Sequence, residues 1–108
     1  MGRISLFAFR AQPGKEQELL EVMRSRAPLL RRLGFVTERP DVLMRSRGGA
    51  LVPVSEWASE EAIEQAHQSA EVHALWARFE ACGVPVRLDA LPEAGEGFAT
   101  FEALPGAA

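Results

Sequence analysis

The fold is decided by residues 42–67, VLMRSRGGALVPVSEWASEEAIEQAH, in which two strand patterns are followed by a helix pattern. Residues 42–47 and 51–57 are short, apolar-rich runs of the kind found in strands, and the two glycines between them are a hairpin signal. Ser59 is suited to an N-cap, and the two glutamates after it favour the first turn of a helix. The stretch therefore predicts an antiparallel strand pair followed by a helix.

Toward the N-terminus the pattern is strand, turn and helix. Residues 4–9, ISLFAF, form an apolar run of strand type, and a Pro-Gly turn comes soon after it. From Glu16 to Gly34 apolar residues recur at helical spacing, at Leu19, Leu20, Met23, Ala27 and Leu30. Pro28 is expected to kink or restart this helix.

Toward the C-terminus two helical pieces precede a further strand. The apolar side of the first piece carries Ile63, Ala66, His67 and Ala70, and that of the second carries Val72, Leu75, Trp76 and Phe79. Gly83 ends the second piece, and VPVRLDAL at 84–91 predicts a fourth strand. The segment 98–104, FATFEAL, predicts an extra strand after Gly-rich punctuation.

The order βαββαβ predicts an α+β, ferredoxin-like fold with an antiparallel sheet and helices on one face. Residues 1–92 form this domain, and residues 93–108 form a C-terminal extension whose extra strand could reach a dimer partner. The chain has no further helices to cover the second face of the sheet. We therefore expect a homodimer that forms through that face.

Composition indicates one soluble domain. The chain has 108 residues, of which 47% are hydrophobic, and no run is long and apolar enough to span a membrane. MGRISLFAFR at the start lacks the apolar run of a secretion signal, so we expect a cytoplasmic protein. Residues 1–50 carry ten basic and five acidic side chains, whereas residues 51–108 carry two and ten. This asymmetry indicates complementary faces, either within one fold or between two subunits.

RNA-recognition domains share this order of elements and carry stacking aromatics on the third strand. Here that strand begins RGGALVPV, which is similar to the RNP1 segment of those domains in its Arg, Gly, Ala and Val. Gly49, Leu51 and Val54 occupy the slots of the stacking aromatics, so the strand offers no platform for bases. With a net charge of −3 as well, we expect no nucleic-acid partner.

The phrase WASEEAIEQAH at 57–67 resembles the W-x-S/D-x-E-A…H stretch of the antibiotic biosynthesis monooxygenase superfamily of dimeric α/β barrels. The resemblance extends from the first strand to about Leu91. That superfamily includes cofactor-independent oxygenases of polyketide quinones, quinol oxygenases and haem-degrading enzymes. The resemblance implies a homodimer with a pocket in each subunit, between the helices and the sheet.

Carried over by residue, the resemblance implies that Trp57 lines the pocket and that His67 enters it. In the haem-degrading branch the matching histidine binds iron, and an asparagine at or next to the position of Phe7 assists the chemistry. This chain has no asparagine, so haem degradation is not expected, whereas simple haem binding through His67 stays open. His73 lies close to the place of a second histidine in quinol-oxidising relatives.

We therefore expect a cofactor-independent monooxygenase that acts on an apolar aromatic or quinol-type substrate, without metal or flavin. His67 would act as a base or hydrogen-bond partner, because the ordinary pKa of histidine suits proton transfer near neutral pH. Trp57 would form a flat wall of the pocket. The other candidate substrate-binding residues are Phe7, Trp76, Phe79 and His73.

Two structural alternatives remain open. Tryptophans at strand and helix spacing are often core residues, and a histidine on an apolar stripe is often satisfied by a backbone carbonyl.

The rival function is a non-catalytic dimeric module that binds a hydrophobic ligand or haem. Metal binding by His67 and His73 together is not expected, because six residues of separation put them on different sides of a helix.

Overall fold

The structure, a computed structural model, describes residues 2–105. In this range the strands are β1 (Arg3–Leu6), β2 (Ala8–Ala11), β3 (Val42–Arg45), β4 (Leu51–Trp57), β5 (Gly83–Val86) and β6 (Glu102–Leu104). The helices are α1 (Glu16–Arg32), α2 (Glu60–Ala66) and α3 (Ala70–Cys82), and two 3₁₀ turns, Leu88–Ala90 and Pro92–Gly95, follow β5. None of the helices in this range is long and apolar enough to cross a membrane.

The strands form one antiparallel sheet in the order β5–β2–β4–β3–β6, with β1 also beside β4. This is the α+β, ferredoxin-like arrangement that the order of elements predicts, and that prediction is confirmed. β1 and β2 follow β4 in one register, in which Leu6 is opposite Val54 and Phe9 is opposite Leu51.

The first strand, predicted as a single element, is divided in two at Phe7. The register of β1 and β2 sets Phe7 opposite Pro53 of β4. A proline nitrogen carries no hydrogen and donates nothing to the ladder, so pairing is interrupted at this point. The prediction for residues 4–9 was therefore wrong in its continuity.

The helix predictions hold except at the proline. Ser59 caps α2 as predicted, since its Oγ accepts a hydrogen bond from Ala62 N at 3.0 Å. α1 continues through Pro28, which is exposed, whereas a kink or restart was expected. The strand predicted for 84–91 ends at Val86, because the chain turns into the first 3₁₀ segment.

Side chains along β4 alternate between the two faces of the sheet. Leu51, Ser55 and Trp57 face the helices, and Val52 and Val54 face the opposite side. The largest core lies on the helix-facing side. Its buried members are Leu19, Leu20, Val22, Met23, Leu43, Leu51, Leu75, Phe79 and Cys82.

Residues 87–101, which we call the C-terminal strap, cover one half of the opposite face. A small core forms beneath the strap from Ala8, Ala50, Val52 and Leu91. Glu93 is buried, and its carboxylate accepts hydrogen bonds from Ser46 Oγ at 2.7 Å and Arg47 N at 2.8 Å. The chain itself therefore covers one half of the face through which a homodimer was expected to form, and the homodimer stays a prediction. β6, the extra strand of the C-terminal segment, pairs with β3 of the same chain.

The other half of this face is open. Ile4, Leu6 and Val42 are exposed there to 58%, 45% and 53%. Val54 is half-buried between Leu6 and Val42, with which it pairs on either side. We call these four residues the open strip.

Candidate functional site

A cavity of about 460 Å³ lies between the helices and the helix-facing side of the sheet. We call it the main cavity. It is open to solvent on one side, and its wall is mainly apolar and aromatic. The wall is formed by Ser5, Leu6, Phe7, Phe9, Arg26, Trp57, Ile63, Trp76, Phe79 and Glu80.

The structure brings four of the six candidate site residues together. The four that line the main cavity are Phe7, Trp57, Trp76 and Phe79. The other two, His67 and His73, are exposed and are not part of its wall. Binding of a substrate by any of the six stays a prediction.

Trp57 lies at the end of β4 and presents its indole to the helix-facing side, where the residue is only 8% exposed. Its Nε1 donates a hydrogen bond to Ser5 Oγ, 2.8 Å away on the adjacent β1. This bond fixes the orientation of the ring. The ring therefore serves as a rigid wall, and its N–H group is already engaged within the protein.

Three phenylalanines form one apolar side of the main cavity. The ring centroids of Phe7 and Phe79 are 5.8 Å apart, those of Phe9 and Phe79 are 5.2 Å apart, and those of Phe7 and Phe9 are 5.9 Å apart. Two of these contacts are edge-to-face, an arrangement that aromatic rings favour. The cluster gives the cavity a preformed surface against which a flat apolar molecule can pack.

Arg26 of α1 supplies the positive charge in the wall, although the residue is only 5% exposed. Its Nη1 donates to Ser55 Oγ at 2.6 Å and lies 3.9 Å from Asp41 Oδ2. Its Cζ lies 5.1 Å from the ring centroid of Phe7 and 5.5 Å from that of Trp57. Both distances are within the range of cation–π attraction, so the guanidinium is held by two aromatic faces and one hydroxyl.

The charges of this pair are only partly compensated. Burial lowers the pKa of the Arg26 guanidinium, and the nearby Asp41 carboxylate raises it in part. Burial likewise raises the pKa of Asp41, against the opposing effects of Arg26 and Arg31. Arg26 stays protonated at any ordinary pH. The cavity wall therefore contains a permanent cation whose desolvation is not fully offset by its neighbours.

The two histidines pack against Trp76 outside the main cavity. His67 lies 5.2 Å from Trp76 between ring centroids, and its Nδ1–H group donates to Ile63 O at 2.7 Å. His73 lies 5.5 Å from the same indole, and its Nε2–H group donates to His67 O at 2.6 Å. His67 follows the last residue of α2, where the chain leaves the helix, and it does not face inward as its stripe predicts.

Six lining residues of the main cavity were not predicted from the sequence, and they include its polar side. They are Ser5, Leu6, Phe9, Arg26, Ile63 and Glu80. One signal was available for Arg26, which lies three residues after Met23 and four before Leu30 on the apolar side of α1. Arginine is rarely buried unless it is paired, so an arginine within the apolar stripe of a helix indicates a side chain held by a partner inside the fold.

Comparison with known families yields a match for most of the chain. The family model described as antibiotic biosynthesis monooxygenase matches residues 3–78. This range includes every residue of the cavity wall except Phe79 and Glu80, and it ends before the C-terminal strap. The comparisons with curated proteins and with solved structures found no match.

Proposed function

The chain belongs to the antibiotic biosynthesis monooxygenase family, and on this premise we propose that it is a cofactor-independent monooxygenase of an aromatic or quinol-type substrate. The observation that carries the proposal is the main cavity, whose aromatic walls suit a flat apolar molecule and which has a polar side at Arg26 and Ser5. Its volume of about 460 Å³ falls within the range of small-molecule sites.

In the proposed reaction the substrate supplies the electrons that reduce O₂. A phenolic or quinol oxygen loses its proton, and the resulting anion donates an electron to O₂. One oxygen atom then enters the substrate as a carbonyl at a ring carbon that loses one hydrogen, and the other oxygen leaves as water with that hydrogen and the proton from the phenolic oxygen. The protein contributes a largely apolar pocket, a fixed orientation and a positive charge beside the developing anion.

The proton acceptor in this proposal is His67, as a base or hydrogen-bond partner. Direct transfer would require its ring to move past Trp76, since His67 lies outside the cavity wall. His73 provides a matched comparison, because it is also exposed and packs against the same indole.

Oxygen uptake tests the proposal. Purified protein is mixed with hydroquinones of increasing ring number, and the rate is compared with that of each compound alone. We expect uptake above the uncatalysed rate, reduced about a hundredfold in His67→Ala and little changed in His73→Ala. Ile63→Trp is expected to fill the main cavity. It should abolish oxygen uptake both as a single substitution and in the His73→Ala background.

Each other outcome has a defined meaning. Uptake that is blocked by Ile63→Trp but survives His67→Ala would retain the oxygenase and remove His67 as its base. No uptake with any compound by folded protein would overturn the oxygenase, and the rival binding module would then be favoured.

A haem held in the main cavity through His67 does not fit the residues present. The His67 ring is not part of the wall of that cavity, so a haem bound there would not meet the imidazole.

We further propose that the protein is a homodimer that forms through the open strip. The exposed apolar side chains of Ile4, Leu6 and Val42 support this, because they form a continuous patch on a sheet face that the C-terminal strap leaves uncovered.

A further inference from the structure

We propose that the main cavity binds its ligand as an anion, a flat aromatic molecule with one ionised oxygen that pairs with the guanidinium of Arg26. The inference rests on the proposed use of this cavity as the substrate site and specifies the class of molecule bound there. Carboxylates and ionised phenols share the required chemistry.

The first support is the number of unused donors on Arg26. A guanidinium has five N–H groups, and in residues 2–105 its Nη1 makes the side-chain hydrogen bond, to Ser55 Oγ. Within the same residues, no side-chain nitrogen or oxygen that is sealed from solvent lacks a partner. The nitrogens Nε and Nη2, for which these residues supply no hydrogen-bond acceptor, are therefore not sealed from solvent, and Arg26 lines the main cavity. They are the donors that a ligand in the cavity would use.

The second support is the way in which the charge of Arg26 is held. Asp41 lies 3.9 Å from Nη1, which is beyond hydrogen-bond distance, so it offsets the charge without occupying a donor. The faces of Phe7 and Trp57 stabilise the cation and likewise leave its N–H groups free. Such a guanidinium is oriented in advance and ready for a bidentate contact with an anionic oxygen.

The third support is the charge of the remaining wall. Glu80 is the acidic residue among the lining residues, and because it is exposed, water screens its charge. Asp41 is not part of the wall. An anionic oxygen inside the cavity therefore has Arg26 as its nearest charge, and the apolar body of the ligand packs on the phenylalanine rings.

Calorimetric titration with two compounds of the same shape tests the inference. 2-Naphthoate is ionised near neutral pH, whereas 2-naphthamide is neutral, and neither is a quinol. We expect the naphthoate to bind about tenfold more tightly or better, as a charge-assisted hydrogen bond requires. This preference should vanish in Arg26→Met and persist in Arg32→Met, in which an exposed arginine of the same helix is replaced.

The unmodified protein decides the matter even if Arg26→Met does not fold. Equal binding of the two compounds, or tighter binding of the amide, would overturn the inference, and so would a preference that survives in folded Arg26→Met. Arg26→Lys keeps the charge and should retain part of the preference. Repeating the titration with 2-naphthol below and above the pH at which it ionises shows whether a phenolate serves as well as a carboxylate.

Naphthoate binding and oxygen uptake together distinguish failure of the anion site from failure of the proposed oxygenase reaction. Tight naphthoate binding that depends on Arg26, with no oxygen uptake from hydroquinones, would support the anion site and overturn the oxygenase. Oxygen uptake that is unchanged in Arg26→Met would support the oxygenase and overturn the anion site.

Discussion

Arg26 gives the main cavity its chemical character. Burial of an arginine costs free energy unless its N–H groups are hydrogen-bonded and its charge is compensated. Here the partners come from different elements. Ser55 of β4 accepts a hydrogen bond, Asp41 precedes β3, and Phe7 and Trp57 flank the guanidinium. The orientation of one side chain thus depends on contacts that the whole fold brings together.

The hydrogen bond from Arg26 to Ser55 should contribute measurably to stability. Ser55→Ala leaves Nη1 without its buried acceptor, and we expect the free energy of unfolding to fall by about 1–3 kcal/mol. Urea denaturation measures the change. Ser25→Ala serves as the control, because its hydroxyl is half-buried and donates to Val22 O within α1, and we expect a loss below about 0.5 kcal/mol. Equal losses in the two variants would contradict this account of Arg26.

At the residue scale the aromatic wall could be predicted from the sequence, and the polar side could not. Trp57 and Phe79 are inward-facing by periodicity alone, which needs only local spacing. Arg26 depends on Ser55, 29 residues further along the chain, and no local pattern contains that contact. His67, the C-cap of α2, is exposed, and its ring bonds back to Ile63 O, a contact that the spacing of apolar residues does not predict.

At the scale of elements, the C-terminal strap is held by a buried carboxylate. Burial alone raises the pKa of Glu93, but hydrogen bonds from Arg47 N and Ser46 Oγ outweigh burial, and the pKa lies below its usual range. The ionised form is therefore the one that binds the strap to the hairpin between β3 and β4.

The strap should weaken in acid. Because the pKa of Glu93 is lower in the folded than in the unfolded chain, its stabilisation is complete above the ordinary pKa of about 4.3 and is lost as the pH falls through the folded value. Glu93→Gln should reduce the stability at neutral pH and flatten its decline in acid, as measured by urea denaturation at several pH values. The exposed Glu61→Gln should keep the decline. A decline of the same steepness in Glu93→Gln would contradict the assignment.

The order of elements could be predicted because it depends on local signals, such as the two glycines before Ala50 and the serine cap of α2. The break at Phe7 could not, because it requires the register that places Pro53 across the ladder. The strap has no periodic pattern, and its conformation depends on Glu93 meeting Ser46, 47 residues earlier in the chain.

At the scale of the molecule, the uneven charge of the two halves is largely resolved within the fold. Five ion pairs among residues 2–105 join the basic first half to the acidic second half. They are Arg3–Glu60, Arg32–Glu71, Arg39–Glu56, Arg45–Glu102 and Arg47–Glu96. Exposed pairs contribute little individually, but together they favour this mutual orientation of the two halves. Of the two readings of the asymmetry, the structure supports complementary faces within one fold.

The open strip should govern association. Val42→Glu places a charge within the patch, and we expect it to convert a dimer into a monomer at the same concentration, as measured by light scattering after size exclusion. Ala74→Glu adds the same charge to an exposed position of α3 and should leave the dimer intact. A monomeric unmodified protein, or a Val42→Glu variant that remains dimeric, would contradict the proposed interface.

The two ends of the strand order, β5 and β6, have a consequence for how chains meet. β5 contains Pro85, and β6 is only three residues long, carries Glu102 beside Arg45 and is followed by Pro105. A short strand with charge and proline is a poor template for a further strand, so neither β5 nor β6 invites edge-to-edge growth into aggregates or fibrils. Copies of this chain that meet are thereby directed away from these two ends, toward the open strip and the adjoining edge of β1.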